Sequence, residues 1–180
     1  MYKKTVKLKN GTIVEGDFFE KEDQQALNNI YKGWLTVSNN SKKLGGRNLN
    51  IPDVLSEALF CINFGCIRTN NEAKSYDCVR IKDGAGIQVK ATSIANDCTS
   101  FGPKSTWDEL YFMDFAPNGE INGKIEVYKI DKKLDNIVLN AGKKETFKMQ
   151  QKAGRRPRFS IKSLIIDKYK LKPVKTIIIK

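Results

Sequence analysis

The chain is predicted to be α/β, bordering on α+β, with one mixed β-sheet flanked by helices. Three observations point there. Apolar residues recur at helical spacing over 26–35 and again over 54–62. Apolar and polar residues alternate over 87–92, a strand period, and turn-forming residues bound that stretch. The order of elements mixes hairpins with helices and shows no internal repeat, which suits one layered domain over residues 1–180.

The first element is a hairpin over 5–19, turning at Asn10-Gly11, a strong two-residue turn signal. A helix over 22–37 follows, with Ala26, Leu27, Ile30, Tyr31, Trp34 and Leu35 on its apolar stripe. Residues 38–50 are polar, contain Gly45-Gly46, and read as a loop. A second helix starts near Pro52, a residue favoured in a first turn, and runs to about Phe64 with Gly65 as its stop. Strands over 75–81 and 87–92 are joined by Lys82-Asp83-Gly84-Ala85-Gly86, whose turn chemistry supports a hairpin. Residues 94–107 are irregular. Strands over 110–115 and 124–130 come next, then a basic helix over 143–153 ending at Gly154. A short helix starts near Ser160, and 174–179 adds an edge strand.

With 180 residues the chain is long enough to bury a substantial core, and its +12 formal charge suits a polyanionic partner. It contains no histidine. That excludes Ser-His-Asp hydrolysis, histidine-metal nucleases and histidine acid–base pairs. Chemistry on a nucleic acid would then fall to carboxylates, a metal ion and lysine. The four cysteines have neither CxxC spacing nor a histidine to complete a mixed metal site, so they read as free thiols in a reducing compartment. No apolar run is long enough to span a membrane, and the N-terminus lacks an apolar signal core. A cytoplasmic location is the expectation.

One constellation stands out. Asp77 precedes a turn, and Gln88-Val89-Lys90 follows on the next strand. Strand side chains alternate faces, so Gln88 and Lys90 point one way and Val89 points into the core. A carboxylate, a carboxamide oxygen and the Val89 main-chain carbonyl are oxygen donors of the kind Mg2+ prefers. Lys90 would orient the attacking water and stabilise phosphorane charge. Glu57, on the helix just upstream, offers a second carboxylate to offset the neutral Gln88. The catalytic candidates are therefore Asp77, Gln88, Lys90 and Glu57, and the metal candidates Asp77, Gln88, Val89 and Glu57.

Asp77…Gln88-Val89-Lys90 with Glu57 upstream resembles the PD-(D/E)XK nuclease pattern in its Gln-x-Lys variant. Longer stretches are similar to the small type II restriction endonucleases that cut GCNGC. They are Leu49-Asn50-Ile51-Pro52-Asp53-Val54-Leu55-Ser56-Glu57, Arg68-Thr69-Asn70-Asn71, Ser75-Tyr76-Asp77-Cys78-Val79 and Asn96-Asp97-Cys98-Thr99-Ser100-Phe101-Gly102-Pro103. Asp114-Phe115-Ala116-Pro117-Asn118-Gly119 and Gly154-Arg155-Arg156-Pro157-Arg158-Phe159-Ser160 add to them. The resemblance runs from about residue 20 to 176. It implies a restriction-endonuclease-like core and a homodimeric, Mg2+-dependent enzyme that hydrolyses double-stranded DNA at a GC-rich interrupted palindrome. It also implies a cognate DNA methyltransferase encoded nearby. Two departures exist: Gln88 stands where Glu or Asp is usual, and Tyr76 where Pro is usual.

Base readout needs donors and acceptors on loops or helices that reach the major groove. Asn96, Asp97, Thr99, Ser100, Lys104, Ser105 and Thr106 form the densest such stretch, directly after the Gln-x-Lys strand. Arg155, Arg156 and Arg158 suit phosphates first and guanine second. Two other readings fit the same residues: a repair or nicking nuclease using this site, and a non-catalytic basic nucleic-acid-binding module.

Overall fold

The computed structural model describes residues 1–47, 49–69, 76–94 and 98–180. Its main feature is an eight-stranded mixed sheet in the order β1-β2-β3-β4-β5-β7-β8-β12. The strands are β1 (Tyr2–Lys7), β2 (Ile13–Phe18), β3 (Cys66–Thr69), β4 (Cys78–Arg80), β5 (Gly86–Thr92), β7 (Glu109–Asp114), β8 (Lys124–Lys129) and β12 (Lys175–Ile178). Of these pairings, β5 with β7 is parallel, and the other neighbours are antiparallel. Helices α1 (Gln24–Lys43) and α2 (Asp53–Phe64) pack on one face. The α/β class and the mixed sheet expected from the sequence are what the chain forms.

The helix α2 positions everything that follows. Leu55, Ala58 and Leu59 are fully buried against Ile87 and Val89 of β5 and Met113 of β7. Each such leucine removed from water contributes about 1.5–3 kcal/mol. Phe60 stacks on Phe64 at 4.4 Å and tilts against Tyr111 at 4.9 Å. Gly65 ends the helix at φ 65°, a left-handed conformation that glycine adopts without strain. Pro52 sits one residue earlier than a first-turn position, as the N-cap of α2.

A second core lies on the opposite face of β7. Leu110 and Phe112 meet Phe101, Phe147, Phe159, Ile161 and Ile165 there. With one cluster on each face, β5 and β7 are interior strands, and Gln88 is only 4% exposed. The β1–β2 hairpin covers a third cluster, Val6, Leu8, Ile67 and Val79. Gly16 is required where β2 crosses β3, because a Cβ there would collide with the Arg68 carbonyl oxygen.

Several boundaries differ from expectation. The helix α1 continues six residues past 37 into the stretch read as a loop. Ser38 lies on the buried face with Leu27, Tyr31 and Trp34, and a serine in that register gives no apolar signal. The basic helix is shorter, α3 (Phe147–Lys152), because β9 (Val138–Asn140) and β10 (Glu145–Thr146) form a small hairpin first. Thr146 caps α3, its Oγ1 accepting from Met149 N at 3.3 Å. The short C-terminal helix is a π-helical turn, Lys162–Asp167. The expected edge strand is β12. Two further strands, β6 (Thr99–Ser100) and β11 (Arg158–Phe159), pair with each other and are too short to carry a periodic signal. Among the described residues no helix is long and apolar enough to cross a membrane.

Candidate active site

The β4–β5 hairpin brings Asp77 beside the Gln-x-Lys strand. Asp77 N donates to Ile87 O at 3.0 Å, and Asp77 O accepts from Thr69 N at 2.9 Å, so its backbone is held on both sides. Its carboxylate then reaches across to β5. Oδ2 accepts from Val89 N at 2.8 Å and from the amide nitrogen of Gln88. The orientation of that amide is set by this partner, since a half-turn exchanges its oxygen and nitrogen. Glu57 approaches from α2, one turn after Asp53.

Asp77, Glu57, Val89 and Lys90 line one cleft of about 460 Å³. The β6–β11 ribbon contributes Thr99, Ser100 and Arg158 to its lining. Gln88 supports the floor by its contact to Asp77. Asp53, Ser56, Thr92 and Ser93 also line the cleft, and sequence patterning did not single them out. Asp53 was legible in principle, because it shares a helix face with Glu57 at i−4, whereas Ser56, at i−1, is rotated a quarter-turn away.

The electrostatics of this cleft are unusual. Burial pushes the Glu57 carboxyl up to about 8, and the neighbouring Asp77 adds to the rise; Arg68 and Lys90 offset only part of it. Asp77 is also raised, chiefly by burial, against the opposing pull of Lys90 and the Val89 N–H. Two carboxyls that resist ionisation side by side are what a bound cation would relieve. Among the described residues, no three His, Cys, Asp or Glu side chains cluster as a metal group by themselves. Two carboxyl groups fit a hard, oxygen-preferring cation better than a soft one.

The remaining sequence candidates divide. Asn96 and Asp97 lie outside the described residues. Ser105 and Thr106 line a different groove, with Trp107, Lys129, Lys132 and Lys148, and Lys104 is exposed beside it. Arg155 is committed to Glu145 by a close ion pair, Arg156 is exposed, and Arg158 opens onto the cleft. Burial pushes the Cys66 and Cys78 thiols up, as expected of inert free cysteines, whereas Cys98 is exposed.

Two carboxyls and a lysine thus share one cleft on a mixed sheet, in a strongly basic chain. Comparison with known proteins gives the class: the chain is a type II restriction endonuclease, a site-specific deoxyribonuclease. It belongs to the Bsp6I restriction endonuclease family, whose model matches residues 19–168. The type II restriction enzyme Bsp6I of Bacillus sp. (strain RFL6) is 30% identical over 161 residues, covering 87% of this chain and 90% of that protein. No solved structure matches the chain.

Proposed function

We propose that the chain acts as one PD-(D/E)XK-type nuclease domain in the Gln-x-Lys variant, dependent on Mg2+, and that two copies cut both strands of a GC-rich interrupted palindrome, GCNGC. The observation that carries this reading is the convergence of Asp77, Glu57 and Lys90 in one cleft, with Gln88 bonded to Asp77 from β5. Asp77 and Glu57 would hold the metal through their carboxylates, with the Gln88 amide oxygen and the Val89 carbonyl as neutral donors. When bound, the ion lowers the pKa of a coordinated water and offsets charge on the phosphate. Lys90 presents its ammonium to the attacking water and to the charge that develops on the phosphoryl oxygens. Asp77 keeps its bond to Val89 N throughout, which fixes the carboxylate on the strand.

Substrate engagement falls to the cleft wall. Thr99 and Ser100 face the duplex from β6, and Arg158 offers a guanidinium to a phosphate near the cut. Asn96 and Asp97 belong to the same proposed reading segment by sequence, with Lys104, Ser105 and Thr106 continuing it along the second groove. A two-fold symmetric site is met most simply by a two-fold dimer with one cleft per strand. Cutting so short a site requires that host DNA be protected, so a methyltransferase encoded nearby is the functional partner.

The test is cleavage of plasmid DNA in Mg2+ and in excess EDTA, by the native chain and Lys90→Ala, with the ends sequenced. Discrete fragments ending within GCNGC in Mg2+ alone, and none from Lys90→Ala, are expected. Cleavage in EDTA, or full cleavage by the variant, would reject this site.

A further inference from the structure

Lys90 does not stand free in the cleft. Its ammonium lies over the face of Phe101, 5.6 Å from the ring centroid. Phe101 is only 1% exposed and is held from several sides. Its ring stacks on Phe159 at 5.6 Å and 17°, meets Phe147 edge-on at 5.3 Å and contacts Trp107 at 5.4 Å. Its backbone N–H donates to Pro157 O at 2.9 Å. The ring thus sits directly after β6 in the β6–β11 ribbon, whose Thr99, Ser100 and Arg158 line the same cleft as the carboxyls.

We propose that Phe101 is the positioning residue of Lys90. The negative face of its ring attracts the ammonium, and the surrounding aromatic cluster fixes that ring against the sheet. A lysine has four rotatable side-chain bonds and loses entropy when held in one geometry. A pre-placed cationic seat reduces that cost at the moment of reaction. The seat is delivered by the chain segment that also supplies the DNA-facing wall, so the lysine is placed with reference to the strand held there. Nothing in the aromatic cluster itself requires a cation above it: Phe147, Phe159 and Trp107 would pack as well beneath an aliphatic neighbour.

This inference rests on the proposed role of Lys90. The experiment separates the two by replacing Phe101 with mono-, di- and trifluorophenylalanine, which progressively weaken the ring quadrupole and nearly preserve its shape. The single-turnover cleavage rate of a cognate duplex in Mg2+ is measured beside duplex affinity and thermal stability. The rate is expected to fall in steps with fluorine number, by about two- to five-fold over the series. Duplex affinity should stay within error. A purely structural ring would give a flat rate series at constant stability, and that result overturns the inference while Lys90→Ala remains inactive. Normal cleavage by Lys90→Ala would instead overturn the catalytic reading, and this inference with it.

Discussion

The two ends of the β4–β5 hairpin hold carboxylates in opposite electrostatic states. At the turn end, Arg80 grips Glu109 with two bonds of 2.9 Å and Asp83 with bonds of 2.9 and 2.8 Å. That guanidinium pulls both Glu109 and Asp83 down to about 2. At the open end, burial drives Glu57 up to about 8, and Asp77 rises beside it. One strand pair therefore joins a self-satisfied ionic clamp to a cleft whose acids lack a matched partner. The clamp is neutralised within the fold, whereas burial holds the two cleft carboxyls toward their neutral forms.

The sharpest way to break this contrast is at Asp77. Asp77→Asn should lower single-turnover cleavage by about a hundred-fold or more while leaving the chain folded, since it removes an anionic ligand and keeps the shape. Cleavage within a few-fold of the native chain would show that the open end is not the reactive one. At the turn end, Arg80→Ala leaves Glu109 with Tyr111 and Lys129 as partners and Asp83 open to solvent, and should cost only about 1 kcal/mol in denaturant unfolding. Its cleavage rate well below the melting temperature should change little, and a large loss of rate at unchanged stability would erase the division between the two ends.

The pH dependences should run in opposite senses. Glu57 has a folded pKa above its unfolded value, so its contribution is fully present below about 4.5 and is lost as pH rises toward about 8. Glu57→Gln should therefore gain stability relative to the native chain between those values in metal-free buffer, and Mg2+ should narrow the gap. Glu109 has a folded pKa below its unfolded value, so its contribution is present above about 4.5 and is lost as pH falls toward about 2. Melting temperatures across pH for the native chain, Glu57→Gln and Glu109→Gln check both signs, and parallel profiles would refute the contrast.

Two smaller effects sharpen it further. Gln88→Glu should retain measurable cleavage and shift the metal optimum, whereas Gln88→Leu removes the oxygen and should be far worse; equal rates would exclude Gln88 as a donor. Among the arginines, Arg158→Ala should reduce the slope of log affinity against log salt by about one. Arg155→Ala should leave that slope nearly unchanged, because its partner is Glu145. Equal slopes for the two variants would remove Arg158 from the DNA surface.

Strong local signals were legible in the chain. The heptad-like stripe of α2, its Gly65 stop, the turn at Asp83-Gly84 and the alternation of β5 are properties of neighbouring residues, and each was visible as such. Strand period put Gln88 and Lys90 on one face, and Asp77 was expected to reach that edge from the preceding strand, where it accepts from Gln88 and from Val89 N. Glu57 was placed only by proximity in sequence, and its burial came from α2 packing onto β5.

What tertiary structure alone decided was pairing across long separations. The partner of Thr99 and Ser100 is a strand nearly sixty residues later, and two-residue strands have no periodicity to read. The same holds for the separation of Arg155 from Arg158: one turns to Glu145 and the other to the cleft, though both belong to a single basic run. Composition determined a histidine-free, basic chain and thereby the kind of chemistry open to it. Burial determined which of its carboxyls resist ionisation, because desolvation depends on what packs overhead, and no local spacing records that.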